Sequence, residues 1–142
     1  MIEDIDLILA RWEFEKCESK VYFDMGNVEE FIGFQLPDDY KYFLKNYNGE
    51  EELSGFIGPE FINLWKYDEL LESNKDYGII EYLPHVLGIG SNGAGECIGI
   101  EFNNGEYRII LTPFIGMDAF INIGDSFTDF LVRLDSGQEW FS

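Results

Sequence analysis

The chain has few basic residues: nine Lys and Arg stand against 28 Asp and Glu in 142 residues, a formal net charge of -19 at pH 7. Nucleic-acid binding takes most of its affinity from cations that neutralise phosphates, so this balance argues against direct binding to nucleic acid and to anionic membranes. A basic protein partner is favoured instead. Because 46% of the residues are hydrophobic and 17% aromatic, the chain is expected to fold rather than to form a disordered acidic tail.

Long apolar runs, cysteine and histidine are also scarce. No apolar run approaches the roughly 18 residues of a transmembrane helix, and the acidic N-terminal segment lacks the positive start of a signal peptide, so a cytoplasmic location is expected. Cys17 and Cys97 form no C-x-x-C motif and are expected to be reduced, buried side chains. His85 has no spaced set of metal ligands around it, so neither a metal nor a cofactor is predicted.

The length suits one domain, and no repeat, low-complexity segment or linker divides the chain, so we predict a single domain over residues 1–142. An amphipathic helix is predicted first, because five apolar side chains recur at helical spacing. They are Ile2, Ile5, Ile8, Leu9 and Trp12. Asn27 and Glu30 have the spacing of a capping box, which predicts a short second helix over residues 27–33.

The clearest helical pattern is the third, in LPDDYKYFLKNYNG. Pro37 suits the first helical position, and the acids Asp38 and Asp39 favour the positive end of the helix dipole. Gly49 is expected to end the helix as its C-terminal cap. One apolar stripe is predicted to face the core. It consists of Tyr40, Phe43, Leu44 and Tyr47.

From residue 53 the pattern changes to short β-type runs separated by glycine. Six strands are predicted, in SGFIG, EFINLW, HVLGIG, CIGIEF, YRIIL and FINI, with one helix among them in KYDELLESN. Asn104-Gly105 is a strong hairpin signal, so the fourth and fifth strands should be antiparallel neighbours. Ser126, three residues before Asp129, should cap a final helix. The predicted fold class is α+β, with a mostly antiparallel or mixed central sheet flanked by N-terminal helices and a C-terminal helix.

Gly88, Gly90 and Gly93 form a G-x-G-x-x-G pattern, which in dinucleotide-binding proteins opens a helix whose N-terminal amides hold the phosphates. Here ECIGIEFNNG continues as a strand and a hairpin, and no lysine follows as a P-loop requires. We therefore predict no nucleotide site. The glycines are interpreted as positive-φ residues in a tight connection between two strands.

Other catalytic arrangements find little support. No G-x-S-x-G motif occurs, and His85 is interpreted as a structural rather than a catalytic residue. With 28 acidic residues, two carboxylates can lie close together by chance, so an acidic-site hydrolase stays open as an alternative.

The densest run of charge is Glu50-Glu51-Glu52, directly after the third helix. Adjacent like charges favour a solvated loop. The alternative is a contact for a cationic partner, which the net charge favours.

Four segments, taken in order, resemble the SUKH superfamily. Its opening motif is matched by FIGFQLPDDYKYFLKNYNGEE and its next strand and helix by INLWKYDELLESN. A pair of strands with a glycine turn is similar to LPHVLGIGSNGAGECIGIEFNNGEYRI, and the closing helix to IGDSFTDFLVRL. The resemblance covers roughly residues 27–135. The motif positions that it implies to be fold-making are Gly33, Leu36, Pro37, Tyr40, Phe43, Asn48, Gly49, Trp65, Gly88, Gly95 and Phe127.

The resemblance implies an α+β domain without established catalytic residues. Bacterial members are commonly immunity proteins that bind and neutralise a cognate polymorphic toxin, often a nuclease, whereas fungal members resemble regulators of cell-wall assembly. The chain is nearly all domain, without the long disordered arms of the fungal proteins, so an immunity protein is the expected function. A non-catalytic scaffold or regulatory interaction module is the alternative.

The expected partner is a basic protein, a toxin nuclease domain, because a nuclease needs a positive cleft that an acidic inhibitor can cover. The contact is expected on acids in loops and at strand ends of the β-rich half of the chain. The candidate contact residues are Glu50, Glu51, Glu52, Glu96, Glu101, Glu106 and Asp118.

Overall fold

A computed structural model describes residues 2–16, 25–47, 53–116 and 119–140. These ranges contain six helices and six strands, in an order that confirms the α+β class. They are α1 (Ile2–Arg11), α2 (Met25–Ile32), α3 (Asp38–Asn46), β1 (Leu53–Ile57), β2 (Glu60–Leu64), α4 (Tyr67–Tyr77), α5 (Ile79–Tyr82), β3 (Val86–Ser91), β4 (Glu96–Asn103), β5 (Glu106–Pro113), β6 (Ile121–Gly124) and α6 (Phe127–Asp135).

The strands form one sheet in chain order, β1-β2-β3-β4-β5-β6, and each neighbouring pair is antiparallel. The predicted hairpin between β4 and β5 is confirmed. Its turn residues Asn104 and Gly105 have φ of 54° and 79°, the positive values that a tight two-residue hairpin turn needs.

Helix α6 is the centre of the core. It packs against β6, β5 and β1. Since β1 and β6 are the two edges of the sheet, the sheet curls around this helix. Its side chains Phe127, Phe130 and Leu131 have no exposed surface.

The predicted cap of α6 is confirmed, with one difference. The hydroxyl of Ser126 accepts a hydrogen bond from the Asp129 amide at 2.9 Å. The Asp129 carboxylate in turn accepts a hydrogen bond at 2.9 Å from the amide of Asp125 and not from that of Ser126. The cap therefore fixes the junction between β6 and α6 over one more residue than the sequence motif predicts.

The apolar stripe of α3 is also confirmed. Tyr40, Phe43 and Leu44 are at most 3% exposed. The Phe43 ring lies between those of Tyr47 and Phe127, with centroids 5.6 Å and 5.0 Å away. Aromatic packing thus joins α3 to α6.

Several predicted helix boundaries are wrong, and one lies outside the described residues. Helix α2 begins at Met25, so Asn27 lies inside the helix and does not cap it. Pro37 is the N-cap of α3 rather than its first residue, because its ψ of 147° is extended. Helix α3 ends at Asn46 with Tyr47 at its C-cap, and Gly49 lies outside the described residues. The short helix α5 was not predicted.

Candidate partner-binding surface

The glycine-rich pattern lies in the sheet. Gly88 and Gly90 belong to β3, which continues through a turn into the antiparallel strand β4, so the helix that a dinucleotide site requires does not follow. Of the pattern's glycines, Gly93 has a positive φ of 75°, and so does the nearby Gly95 at 86°. The predicted positive φ is wrong for Gly88 and Gly90, which do not have one.

Close packing explains Gly88 and Gly90 instead. A Cβ added to Gly88 would lie 2.5 Å from Cδ1 of Ile79, and one added to Gly90 would lie 2.2 Å from the carbonyl oxygen of Asn63. The backbone of Asn63 leaves no room for a side chain at Gly90, and a side chain at Gly88 would require the Ile79 side chain to shift. The two glycines therefore let α5 and β2 approach β3.

The backbone of Gly88 is already bound by a side chain. The buried Asn74 accepts a hydrogen bond from the Gly88 amide at 2.8 Å and donates one to the Gly88 carbonyl at 2.9 Å. It also donates to the Leu70 carbonyl at 2.7 Å. An amide that is paired in this way is not free to hold a phosphate.

Other reactive groups are dispersed. The side chain of Cys97 is fully buried, and burial raises the pKa of its thiol to about 12, which fits the predicted inert, reduced cysteine. Cys17 lies outside the described residues. His85 is exposed. Within the ranges that the structure describes, no group of three or more His, Cys, Asp and Glu side chains could hold a metal ion. In the same ranges no helix is long and apolar enough to cross a membrane.

The candidate acids that the structure describes do not form one cluster. Glu96 begins β4 opposite Pro113, whereas Glu106 begins β5 opposite Asn103. Seven residues of strand separate the two ends, a distance of about 23 Å at about 3.3 Å per residue. Glu50, Glu51, Glu52 and Asp118 lie outside the described residues.

A polar groove of about 700 Å³ lies at the hairpin end of β4 and β5. Its walls come from α3, the hairpin and the β6–α6 junction. The lining residues are Pro37, Glu101, Asn103, Asn104, Glu106, Tyr107, Arg108, Asn122, Asp125 and Ser126.

One ion pair occupies part of the groove wall. Arg108 Nε donates to Glu101 Oε1 at 2.5 Å across β4 and β5, and Glu101 is 8% exposed. The Arg108 guanidinium also lies 5.0 Å from the ring centroid of Phe120. The charge of Glu101 is therefore balanced within the chain, whereas Glu106 is exposed at the groove rim.

Aromatic side chains gather at the opposite end of the same strands. The ring of Tyr77 stacks on Phe114 with centroids 4.2 Å apart, and on the buried Trp65 at 6.0 Å. Ile115 directly follows Phe114, and Tyr82 lies on α5, the short helix that follows α4 after Gly78. We call these five residues, Trp65, Tyr77, Tyr82, Phe114 and Ile115, the aromatic end.

Sequence reasoning found only one member of the aromatic end. Trp65 was a motif position, but Tyr77, Tyr82, Phe114 and Ile115 were missed. Ile115 stands in the glycine- and proline-containing segment PFIGMD, where an apolar side chain is left in a loop. That position was the available signal.

The other motif positions lie in the core or at turns. Leu36, Tyr40, Phe43, Trp65 and Phe127 are at most 7% exposed. Gly33 has φ of 82° and donates its amide to the Glu29 carbonyl at 2.8 Å, at the end of α2. Asn48 and Gly49 lie outside the described residues.

The fold and its surface define an α+β domain in which a curled antiparallel sheet carries a polar groove at one end and an aromatic end at the other. The chain belongs to the SMI1 / KNR4 family (SUKH-1), whose model matches residues 24–133. This confirms the resemblance to the SUKH superfamily, whose domains are generally non-catalytic immunity or regulatory proteins. The chain is similar to a Bacillus subtilis (strain 168) protein named "Uncharacterized protein YnaB", at 26% identity over 123 residues, 82% of this chain and 79% of the relative.

Proposed function

We propose that this protein is an immunity protein. It binds a cognate toxin, a basic nuclease domain, and blocks its activity without catalysing a reaction. Family membership over residues 24–133, together with a net charge of -19, carries the proposal. The similarity to a bacterial protein supports the bacterial function of the family over the fungal one.

The charge supports this function through steering. A nuclease that grips nucleic acid presents a positive cleft, and an acidic inhibitor is attracted to it before contact. The same field competes with the phosphates of the natural substrate. The partner is therefore a basic protein, and this chain itself binds no nucleic acid.

The candidate acids have different roles in this proposal. The half-buried Glu96, which accepts a hydrogen bond from Asn92, and the exposed Glu106 lie at the two ends of the β4–β5 pair and are candidates for contact or steering. Glu50, Glu51, Glu52 and Asp118 remain proposed contacts. Glu101 pairs with Arg108 and so stabilises the hairpin. Because its charge is already balanced within the chain, it offers little net charge to a partner.

A regulatory interaction module is the second candidate, because the domains of this family are generally immunity or regulatory proteins. Such a module would bind a client protein without inhibiting a nuclease. The two functions differ in whether the bound partner loses an activity.

Co-expression tests the proposal. The toxin domain encoded by the gene beside the one for this chain is produced in cells with and without the chain, and the two proteins are then purified together. The proposal predicts survival only with the chain, a complex of fixed stoichiometry and loss of nuclease activity at that ratio. Failure of the chain to bind the toxin domain would refute it, and binding without inhibition would favour the regulatory module.

A further inference from the structure

We infer that the aromatic end is the docking centre for the protein partner of this chain. Its occupant is a surface of a basic domain that presents an arginine among apolar side chains. The inference rests on the proposed function and narrows it to one surface.

Three of the exposed large apolar side chains belong to the aromatic end. Tyr77 is 47% exposed, Tyr82 69% and Ile115 93%. Leaving large apolar side chains in water forgoes the free energy of burial, and a group of them marks an interaction site more often than single ones do.

The rings of Tyr77 and Phe114 are held in place by their packing and by the backbone. Trp65 is 7% exposed, and its ring is parallel to that of Tyr77 within 5°. The Phe114 amide donates to the Gly95 carbonyl at 3.1 Å, which fixes the chain just before Ile115. Rings that are already ordered lose little entropy when a partner covers them, so they are suited to be the centre of an interface.

Acids flank the aromatic end. Asp76 and Glu81 are exposed on either side of the α4–α5 junction, and Glu96 follows Gly95. A Cβ built on Gly78 lies 3.6 Å from both the Glu81 carboxylate and the Tyr82 ring, so charge and ring are neighbours. The cation of this turn, Lys75, lies over the ring of Phe31 at 5.4 Å. Aromatic faces beside carboxylates suit a guanidinium, which stacks and forms ion pairs at once.

The net charge of the chain favours a basic domain over a second copy of the chain at the aromatic end. A second copy of this chain would bring another net charge of -19 to the same surface, and like charges oppose such association. The polar groove is less suited to be the docking centre, because the Glu101–Arg108 pair already satisfies its buried charge. Its exposed acids contribute to steering from a distance.

Binding kinetics with matched variants test the inference, using the toxin domain encoded by the neighbouring gene as the probe. Tyr77→Ala should raise the dissociation rate by about 30-fold, the effect of a hot-spot residue, whereas Tyr77→Phe should stay within about threefold of wild type. Ile115→Asp should also raise the dissociation rate by about tenfold or more. Since Ile115 is 93% exposed, this variant should keep its fold, which thermal unfolding checks.

Two charge reversals of equal size separate the two ends of the sheet. Glu81→Lys should raise the dissociation rate, and Glu106→Lys at the rim of the polar groove should change mainly the association rate. The reverse pattern would overturn the inference.

The remaining outcomes are distinguishable. Binding that is indifferent to Tyr77→Ala and Ile115→Asp refutes the docking centre and leaves the proposed function standing. A chain that binds no toxin domain refutes both. Self-association of the chain alone, abolished by Ile115→Asp in sedimentation, would assign the aromatic end to a second copy and overturn the inference.

Discussion

At the residue scale, the glycine pattern in β3 was visible in the sequence, but the side chain that binds the Gly88 backbone was not. Fourteen positions separate Asn74 from Gly88, and only the fold places the Asn74 amide on both backbone groups of that glycine. The sequence argued against a nucleotide site, because the helix and the lysine were missing. It could not show that Gly88 serves packing, since Ile79 and Trp65 approach it from other elements.

The two hydrogen bonds between Asn74 on α4 and Gly88 on β3, here called the bridge, lead to a prediction. Asn74→Leu keeps the volume of the side chain but leaves the amide and carbonyl of Gly88 unpaired in the core, so it should lower the free energy of unfolding by about 2 to 5 kcal/mol. Asn27→Leu is the matched control, because Asn27 is an exposed asparagine on a helix. Urea denaturation measures both variants. An Asn74→Leu variant within about 0.5 kcal/mol of wild type would contradict the bridge.

For the Tyr40 hydroxyl we expect the opposite effect, that its removal does not lower stability. It is buried and has no hydrogen-bond partner among residues 2–16, 25–47, 53–116 and 119–140, and burial raises the pKa of the phenol above its usual value. Removing a buried, unpaired polar group removes its desolvation cost. Tyr40→Phe should therefore leave stability unchanged or raise it by up to about 2 kcal/mol. A clear loss of stability in thermal unfolding would mean that the hydroxyl is bonded.

At the element scale, strongly periodic local patterns were predictable and tertiary ones were not. The stripe of α3 and the turn at Asn104-Gly105 depend on neighbours in sequence, so both were found. Asp39 was predicted as a helix-dipole acid, but its buried carboxylate also accepts hydrogen bonds from the amide and hydroxyl of Thr128 at 2.9 and 2.8 Å. The aromatic end joins β2, α4 and the end of β5, and no local pattern reveals such a meeting.

The stripe of α3 should carry much of the stability. Phe43 is 3% exposed between Tyr47 and Phe127, so Phe43→Ala should cost about 3 to 5 kcal/mol by leaving a cavity between α3 and α6. The exposed Phe56 on β1 is the matched control, where the same change should cost far less. Should Phe43→Ala unfold within a degree or two of the wild-type temperature, the packing between α3 and α6 is not as described.

Helix α1 is held by carboxylates, which makes its attachment depend on pH. Burial acts to raise the pKa of Asp6, but the hydroxyls of Tyr47 and Tyr42, each at 2.7 Å, and the Lys16 ammonium at 3.0 Å outweigh it and hold that pKa below its usual value. The pKa of Asp135 is lowered in the same way: the Trp12 indole and the Arg11 guanidinium outweigh burial.

A folded-state pKa below the unfolded value, about 3.9 for Asp, stabilises the fold above that pH, and the stabilisation is lost as pH falls through the folded-state pKa. Asp6→Asn should therefore be less stable than wild type at pH 7, and the difference should shrink below about pH 4. Urea denaturation at pH 7 and pH 3 compares the two proteins. A difference of equal size at both pH values would contradict the role of the Asp6 charge.

At the scale of the whole molecule, the charge of -19 and the family membership are independent observations that support the same proposed function. Composition alone indicated a basic partner and argued against direct phosphate binding. The surface that the partner uses could not be predicted, because Glu96 and Glu106 are close in sequence and yet lie at opposite ends of two strands.

The central claim is tested most directly by the association rate of this protein with the toxin domain proposed as its partner, measured by stopped flow as salt rises from about 50 to 500 mM. Screening shortens the reach of the field from about 10 Å at 0.1 M salt to about 3 Å at 1 M, so steered association should slow by about tenfold or more while dissociation changes far less. An association rate indifferent to salt, or no association at all, would contradict the account.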